Sequence, residues 1–167
     1  MTKIHSFSPI SDPKAVTLIL GSMPGKASLL EGKYYAHPRN AFWRIIQSIF
    51  ELDPGLSYAE RCSQLLNHRI ALWDVLKTCT RSSSLDSDIV DSSIIANDFE
   101  SFFSIHSQIR TVYFNGAMAE KSYTMHVLPS LPRDMTDLAT KRLPSTSPAY
   151  ASLSFESKLE KWKVITS

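Results

Sequence analysis

The apolar positions of this chain fall into short β-rich runs, each cut off by a polar residue or a glycine, with segments of helical spacing between them. The first run, Val16-Thr17-Leu18-Ile19-Leu20, is too short for a helix and stops at Gly21, so it predicts a strand entering a loop. Residues 1 to 14 hold Pro9 and Pro13 among serines and read as an extended lead-in. A helix is expected from near Asn40 through Phe50, because Phe42, Ile45, Ile46 and Ile49 keep helical spacing. Asp53-Pro54-Gly55 is a turn, and Tyr58 to Asn67 reads as a short second helix. Ile70-Ala71-Leu72-Trp73 is the second strand and stops at Asp74; Lys77 to Asp88 then reads as a long polar connection without periodicity, mobile or functional. A helix is expected around Asn97 to Phe103, a third strand at Thr111 to Phe114 ending in Asn115-Gly116, and a helix from Ala117 to His126. Pro129 to Asp137 looks irregular, a short strand falls near Lys141 to Leu143, Pro144 to Pro148 is a loop, and Phe155 to Val164 is an amphipathic helix. Strand, loop and helix thus alternate along the chain. The expected fold is α/β, a parallel sheet covered by helices on both faces.

The stretch from Gly21 to Trp43 lies at the carboxyl end of the first strand, the edge of an open parallel sheet where loops surround a ligand crevice. It is long for such a loop and carries groups suited to a flat polar ring: Tyr34, Tyr35, His37, Asn40 and two glycines that expose backbone.

Composition narrows the classes. The 167 residues, 43% of them hydrophobic, suit one compact domain, and 18 Lys plus Arg against 16 Asp plus Glu make it only mildly basic, which permits nucleic acid without arguing for it. Cys62 and Cys79 form no metal-ligand pair, and the five histidines stand singly, so no metal site is expected. The start of the chain has no apolar signal core and no run of eighteen apolar residues occurs; a cytoplasmic protein with reduced thiols and no membrane partner is expected. Gly21-Ser-Met-Pro-Gly25-Lys26 is not a P-loop, since three rather than four residues separate its glycines and Ala27 follows the lysine.

Together these segments resemble a known family. Gly21-Ser22-Met23-Pro24-Gly25 after the first strand, followed by Tyr34-Tyr35-Ala36-His37-Pro38-Arg39-Asn40 and Phe42-Trp43, is similar to the first motif of the mismatch-specific uracil/thymine branch of the uracil-DNA glycosylase superfamily. With Leu72-Trp73-Asp74-Val75-Leu76, Ser84 to Ile89, Asn97-Asp98-Phe99 and Phe114-Asn115-Gly116, the pattern resembles the hypoxanthine-DNA glycosylase family within it. The resemblance implies a three-layer α/β/α sandwich around a four-stranded parallel sheet. It also implies removal of a deaminated base from DNA; no cofactor and a monomeric protein are expected.

Two departures from the wider superfamily bear on mechanism. Its first loop usually has Asp or Asn where this chain has Met23, and its late loop usually begins His-Pro-Ser or Asn-Pro-Ser where this chain has Leu143-Pro144-Ser145. Either another group does the chemistry or the protein is a non-catalytic binder of damaged DNA. Breaking a deoxyribose N-glycosidic bond puts positive charge on the sugar and negative charge on the base, so donors aimed at the base can substitute for a carboxylate beside the sugar. Asn40 is the family's key polar residue, able to position but not to accept a proton; as a residue type at this spacing it is also a helix N-cap. Tyr35 is the implied stacking platform for a flipped base, and Tyr34 a core residue. Asn115 offers a donor and an acceptor to a purine edge or else forms an Asn-Gly turn, and Ser22 with the backbone around Met23 is expected to face the base. Ser145, Thr146 and Ser147, between two prolines, suit contact with a DNA strand, with Arg39, Lys77, Arg81, Lys141 and Arg142 as charges near the same edge. Uracil in mismatches is the alternative substrate. A flavodoxin-like small-molecule domain is a further alternative that no residue demands.

Overall fold

The computed structural model describes residues 2–166. In chain order the elements are β1 (Lys3–His5), β2 (Thr17–Gly21), α1 (Lys26–Glu31), α2 (Phe42–Ile49), α3 (Tyr58–Asn67), β3 (Ile70–Asp74), β4 (Leu76–Thr80), β5 (Ile95–Ala96), α4 (Phe99–Ile105), β6 (Thr111–Asn115), α5 (Ala117–His126), α6 (Arg133–Thr136), β7 (Ala139–Leu143) and α7 (Phe155–Trp162). Strands β3, β2, β6 and β7 form a four-stranded parallel sheet in that order.

Side-chain alternation sends each strand's apolar residues into two cores. Leu18 and Leu20 of β2, Ala71 and Trp73 of β3, and Val112 and Phe114 of β6 pack with Phe99, Phe102 and Phe103 of α4 and Tyr123 of α5. The intervening Ile19, Ile70, Leu72 and Tyr113 pack on the other face against Phe42, Ile45 and Ile46 of α2, Leu65 of α3 and Trp162 of α7. The result is the expected three-layer sandwich. Local chemistry sets the helix starts: Ser57 and Glu60 form a reciprocal capping box on α3, and Asp98 accepts from the Ser101 N–H at the head of α4.

Four expectations need correction. Pro129 to Asp137 is not irregular throughout, since Arg133–Thr136 forms the short helix α6. Lys77 to Asp88 is not wholly a loop, since Leu76–Thr80 is β4, which pairs antiparallel with β1 and β5 in a second, three-stranded sheet. The lead-in before β2 is therefore partly strand, held by Lys3, Ile4 and His5 pairing with Thr80, Cys79 and Thr78. Within the long first loop, Lys26–Glu31 is a helical turn and a half closed by Gly32 in the left-handed conformation.

The parallel strands deliver their last residues to one edge. Asp74 lies beside Gly21 in register, and Asn115 beside Leu143. Every loop that matters to the site leaves from this row.

Candidate active site

A cavity of about 760 Å³ opens at that edge, within the size range of small-molecule sites. Its wall includes Gly21, Ser22, Met23, Tyr35, Asn40, Asp74, Asp86, Asn115 and the loop from Ser145 to Tyr150. All eight residues singled out in the sequence line this one space, and Asp74 and Asp86 join them.

The first loop is held at several points. The Gly21 and Ser22 carbonyls accept from the Val75 and Leu76 N–H groups, and the Pro24 carbonyl accepts from Arg81 Nη2 at 2.5 Å. Arg81, expected as a charge near the DNA-facing edge, is only 6% exposed, and its Nε and Nη1 have no protein partner among the described residues. The Ser22 hydroxyl donates to Asp86 Oδ1 at 2.7 Å, so it faces the cavity already engaged. Met23 is buried in the core below the loop while still touching the cavity.

Tyr34 is core, as expected. Its hydroxyl donates to the Ser8 carbonyl, its N–H donates to the Tyr58 hydroxyl, and its carbonyl accepts from Trp43 Nε1. This anchor forces the next residue: Tyr35 has φ 54°, a conformation unfavourable for an aromatic residue, and its ring stacks on Phe42 with centroids 4.2 Å apart. Its hydroxyl is buried without a partner. Burial, then the neighbouring Asp74, hold the phenol well above its ordinary value, so it is a neutral donor. His37 makes a local bond, its Nδ1 accepting from the Arg39 N–H.

The α2 N-cap is Ala41, so Asn40, half-buried, stands one residue before the cap rather than being it. Its Oδ1 accepts from the Phe42 N–H at 2.9 Å, and because a backbone N–H can only donate, the amide orientation is fixed. Its Nδ2 makes no bond to protein among the described residues, and the residue lines the cavity.

Asn115 is tied to the late loop rather than free. Its Oδ1 accepts from the Thr146 N–H at 2.9 Å and its Nδ2 donates to the Thr146 hydroxyl at 3.0 Å, leaving one N–H and one lone pair for a ligand. Thr146 is 1% exposed, and its carbonyl accepts from the Ala41 N–H, so it supports the loop from beneath while Ser145 and Ser147 lie toward its outer side. Gly116, at φ 98°, lets the chain turn there, with Ser145 Cβ only 3.1 Å from where a Cβ would sit.

Asp74 and Asp86 form the acidic side of the site. Asp74 is 3% exposed and its Oδ2 has no partner. Burial first, then the charge of Asp86, push its carboxyl up to about 7, against the opposing pull of Arg81. Asp86 is exposed as a residue, yet burial of its carboxyl raises it above its ordinary value, against the opposing Ser22 bond and the pull of Arg81. Asp74 was legible as a polar residue ending a fully apolar strand at the same edge as Gly21 and Asn115. Asp86 lay within the Ser84 to Ile89 motif but ends no strand, and its place at the site depends on how the loop folds back to Ser22.

The family model for the uracil DNA glycosylase superfamily matches residues 8–166. The chain belongs to the uracil DNA glycosylase superfamily. It is 37% identical over 115 residues to a hypoxanthine DNA glycosylase of Methanosarcina barkeri, a match covering 68% of this chain and 72% of that protein. It is 35% identical over 135 residues to a hypoxanthine DNA glycosylase of Methanosarcina acetivorans, covering 75% and 84%. A solution NMR structure of a Methanosarcina acetivorans protein assigned to the uracil DNA glycosylases superposes with a TM-score of 0.81 at 32% identity, covering 99% of this chain and 97% of that one. No helix among the described residues is long and apolar enough to cross a membrane.

Proposed function

We propose that the chain, as one catalytic domain and as a monomer, removes hypoxanthine from deoxyinosine sites in cytoplasmic DNA. It flips the nucleotide out, hydrolyses the N-glycosidic bond and leaves an abasic site, with no cofactor. The observation that carries this reading is the convergence of Asn40, Tyr35 and Asn115 on one cavity whose wall bears Met23 where a carboxylate or amide is usual in the superfamily. With no polar group at that position, stabilisation falls on the departing base, and a purine carrying a carbonyl disperses negative charge well. The names of the two curated relatives favour the same base.

Each residue has a part. The Tyr35 ring offers a base a face to stack on. Asn40, anchored through Oδ1, has its Nδ2 hydrogens free to orient a water or the nucleotide, though it cannot act as a base. Asn115 offers its remaining N–H and lone pair to the base edge, and Ser22 with the Met23 backbone closes that side. Ser145 and Ser147 meet the DNA strand, with Thr146 holding them in place. Beside this loop a second cleft, lined by Lys141, Arg142 and Lys161 together with Ser145 and Tyr150, suits phosphates.

Uracil is the second reading, favoured by the designation of the structural neighbour. The test is incubation of the purified protein, with EDTA, with single-stranded and duplex oligonucleotides carrying one deoxyinosine, deoxyuridine or deoxyxanthosine, then alkaline cleavage and a gel. Cleavage chiefly at deoxyinosine is expected. Cleavage chiefly at deoxyuridine would transfer the reading to uracil, and binding without cleavage would make the protein a damaged-DNA binder.

A further inference from the structure

The mechanism above leaves Asp74 unused. Asp74 closes β3 with its backbone pinned: its carbonyl accepts from Asn97 Nδ2 at 2.8 Å, and its neighbours Val75 and Leu76 bond to the first loop. Its Oδ1 lies 2.6 Å from the point where a Cβ on Gly21 would stand, and Tyr35 Oη lies 2.9 Å from the same point. The absent Cβ is what lets the two groups share the cavity wall. Asp74 Oδ2 has no protein partner, and Tyr35 Oη meets none at full hydrogen-bond geometry, although the Asn115 amide is close enough to act on it. A buried polar group without a partner is costly, and two side by side on a cavity wall mark a place that a ligand completes.

The charges around Asp74 keep it from being an ordinary ionised carboxylate. No cation lies within ion-pair distance of it among the described residues. Arg81, the nearest cation acting on it, turns its Nη2 to Pro24, and Asp86 adds a like charge from the loop after β4. The phenols of Tyr34 and Tyr35 face it from the first loop, both neutral. His37 stands elsewhere on the cavity wall. With a carboxyl poised near neutrality, both protonation states are accessible at working pH, the condition for an efficient general acid.

We propose that Asp74 is the acid that gives a proton to the departing purine. The proposal rests on the glycosylase reading above. As the C1′–N9 bond breaks, its electron pair leaves with the base and spreads over the ring nitrogens and the carbonyl. The Asp74 O–H proton transfers to that ring system and Asp74 becomes a carboxylate. The water oxygen bonds to C1′ and releases a proton to solvent, and solvent reprotonates Asp74, so the sum is the addition of one water across the bond. Such a donor contributes roughly 10²- to 10⁴-fold. It supplies at the base what Met23 cannot supply at the sugar.

The experiment is the pH dependence of single-turnover deoxyinosine excision from about pH 5 to pH 8 for the wild type, Asp74→Asn and Asp86→Asn, with binding to abasic-site duplex as the check of folding. The wild-type rate is expected to fall toward tenfold per pH unit above about 7. Asp74→Asn should bind abasic DNA, lose on the order of 100-fold at pH 6 and show no alkaline fall. Asp86→Asn, lacking the neighbouring charge, should move the fall to lower pH. If Asp74→Asn does not bind, the Asp86→Asn shift alone decides, and an unmoved profile overturns the proposal. A binding-competent Asp74→Asn that retains near-wild-type rates or the same alkaline fall also overturns it, leaving the glycosylase reading intact. Absence of wild-type excision from deoxyinosine at every pH would remove both.

Discussion

Replacing Asp74 with Asn should make the folded protein more stable while making it a poorer enzyme, and only above a definite pH. The folded carboxyl sits at about 7 against an ordinary value of 3.8, because burial and Asp86 resist its ionisation. A group raised in this way contributes nothing unfavourable below about pH 4, where folded and unfolded chains both hold the proton. As pH rises from 3.8 toward 7 the unfolded chain ionises while the folded one does not, so stability is lost progressively and levels off above 7. The difference, 7 − 3.8 = 3.2, corresponds to about 4 kcal/mol at 1.36 kcal/mol for each pH unit. Asn is nearly isosteric with the neutral acid and never bears this term, although its amide also lacks protein partners, a liability of about 1–3 kcal/mol that the neutral acid shares in part. The variant should therefore match the wild type within about 1 kcal/mol near pH 4 and exceed it by about 2–4 kcal/mol near pH 8. Urea unfolding followed by tryptophan fluorescence, at fixed ionic strength and several pH values, reads this directly. Two stability curves that run parallel from pH 4 to pH 8 would refute the assignment of a buried neutral carboxyl.

Asn40→Ala should remove most excision, on the order of 100-fold, and about 1 kcal/mol of stability through the lost bond to Phe42 N–H. Asn40→Asp, which retains the accepting oxygen, should recover the melting temperature and not the rate; recovery of both would leave the amide N–H groups without a role. Asn115→Ala frees the Thr146 N–H and hydroxyl, so it should weaken abasic-DNA binding and excision together, and loss of excision alone would separate Asn115 from the loop. Gly21→Ala places a Cβ 2.6 Å from Asp74 Oδ1 and 2.9 Å from Tyr35 Oη, where ordinary contact starts at 3.4 Å, so these groups must move by about 0.8 and 0.5 Å. That should cost about 1–3 kcal/mol in melting experiments and up to about 100-fold in excision; an unchanged enzyme would mean the cavity wall is not rigid.

The parallel sheet was legible because each of its inner strands is a continuous apolar run ended by a residue that cannot continue it. The expected spans of α3 and α5 match the observed helices, since Tyr58 to Asn67 and Ala117 to His126 follow a turn and a glycine that fix their starts. The second sheet was not legible: Leu76-Lys-Thr-Cys-Thr buries Thr78 and Cys79, polar or small residues whose burial depends on β1, more than seventy positions earlier. The motifs led to the cavity as a whole, because strand ends and their loops carry them. What they did not reveal was which side chains are already engaged. Thr146 reads as an accessible hydroxyl and is a buried strut, and Arg81 reads as a charge near the DNA-facing edge and is an internal donor, both through partners remote in sequence.

The Arg81 bond to Pro24 joins parts that belong to different sheets. Asn115 is mounted on the parallel sheet, whereas Arg81 follows directly from β4 and pairs across to Ile89, just beyond Asp86. The cavity is therefore a joint, with one jaw set by the parallel strands and the other by a small sheet whose outer rail is the amino-terminal strand. A shift of Lys3–His5, none of which lines the cavity, would pass through β4 to Arg81 and alter the alignment of the jaws.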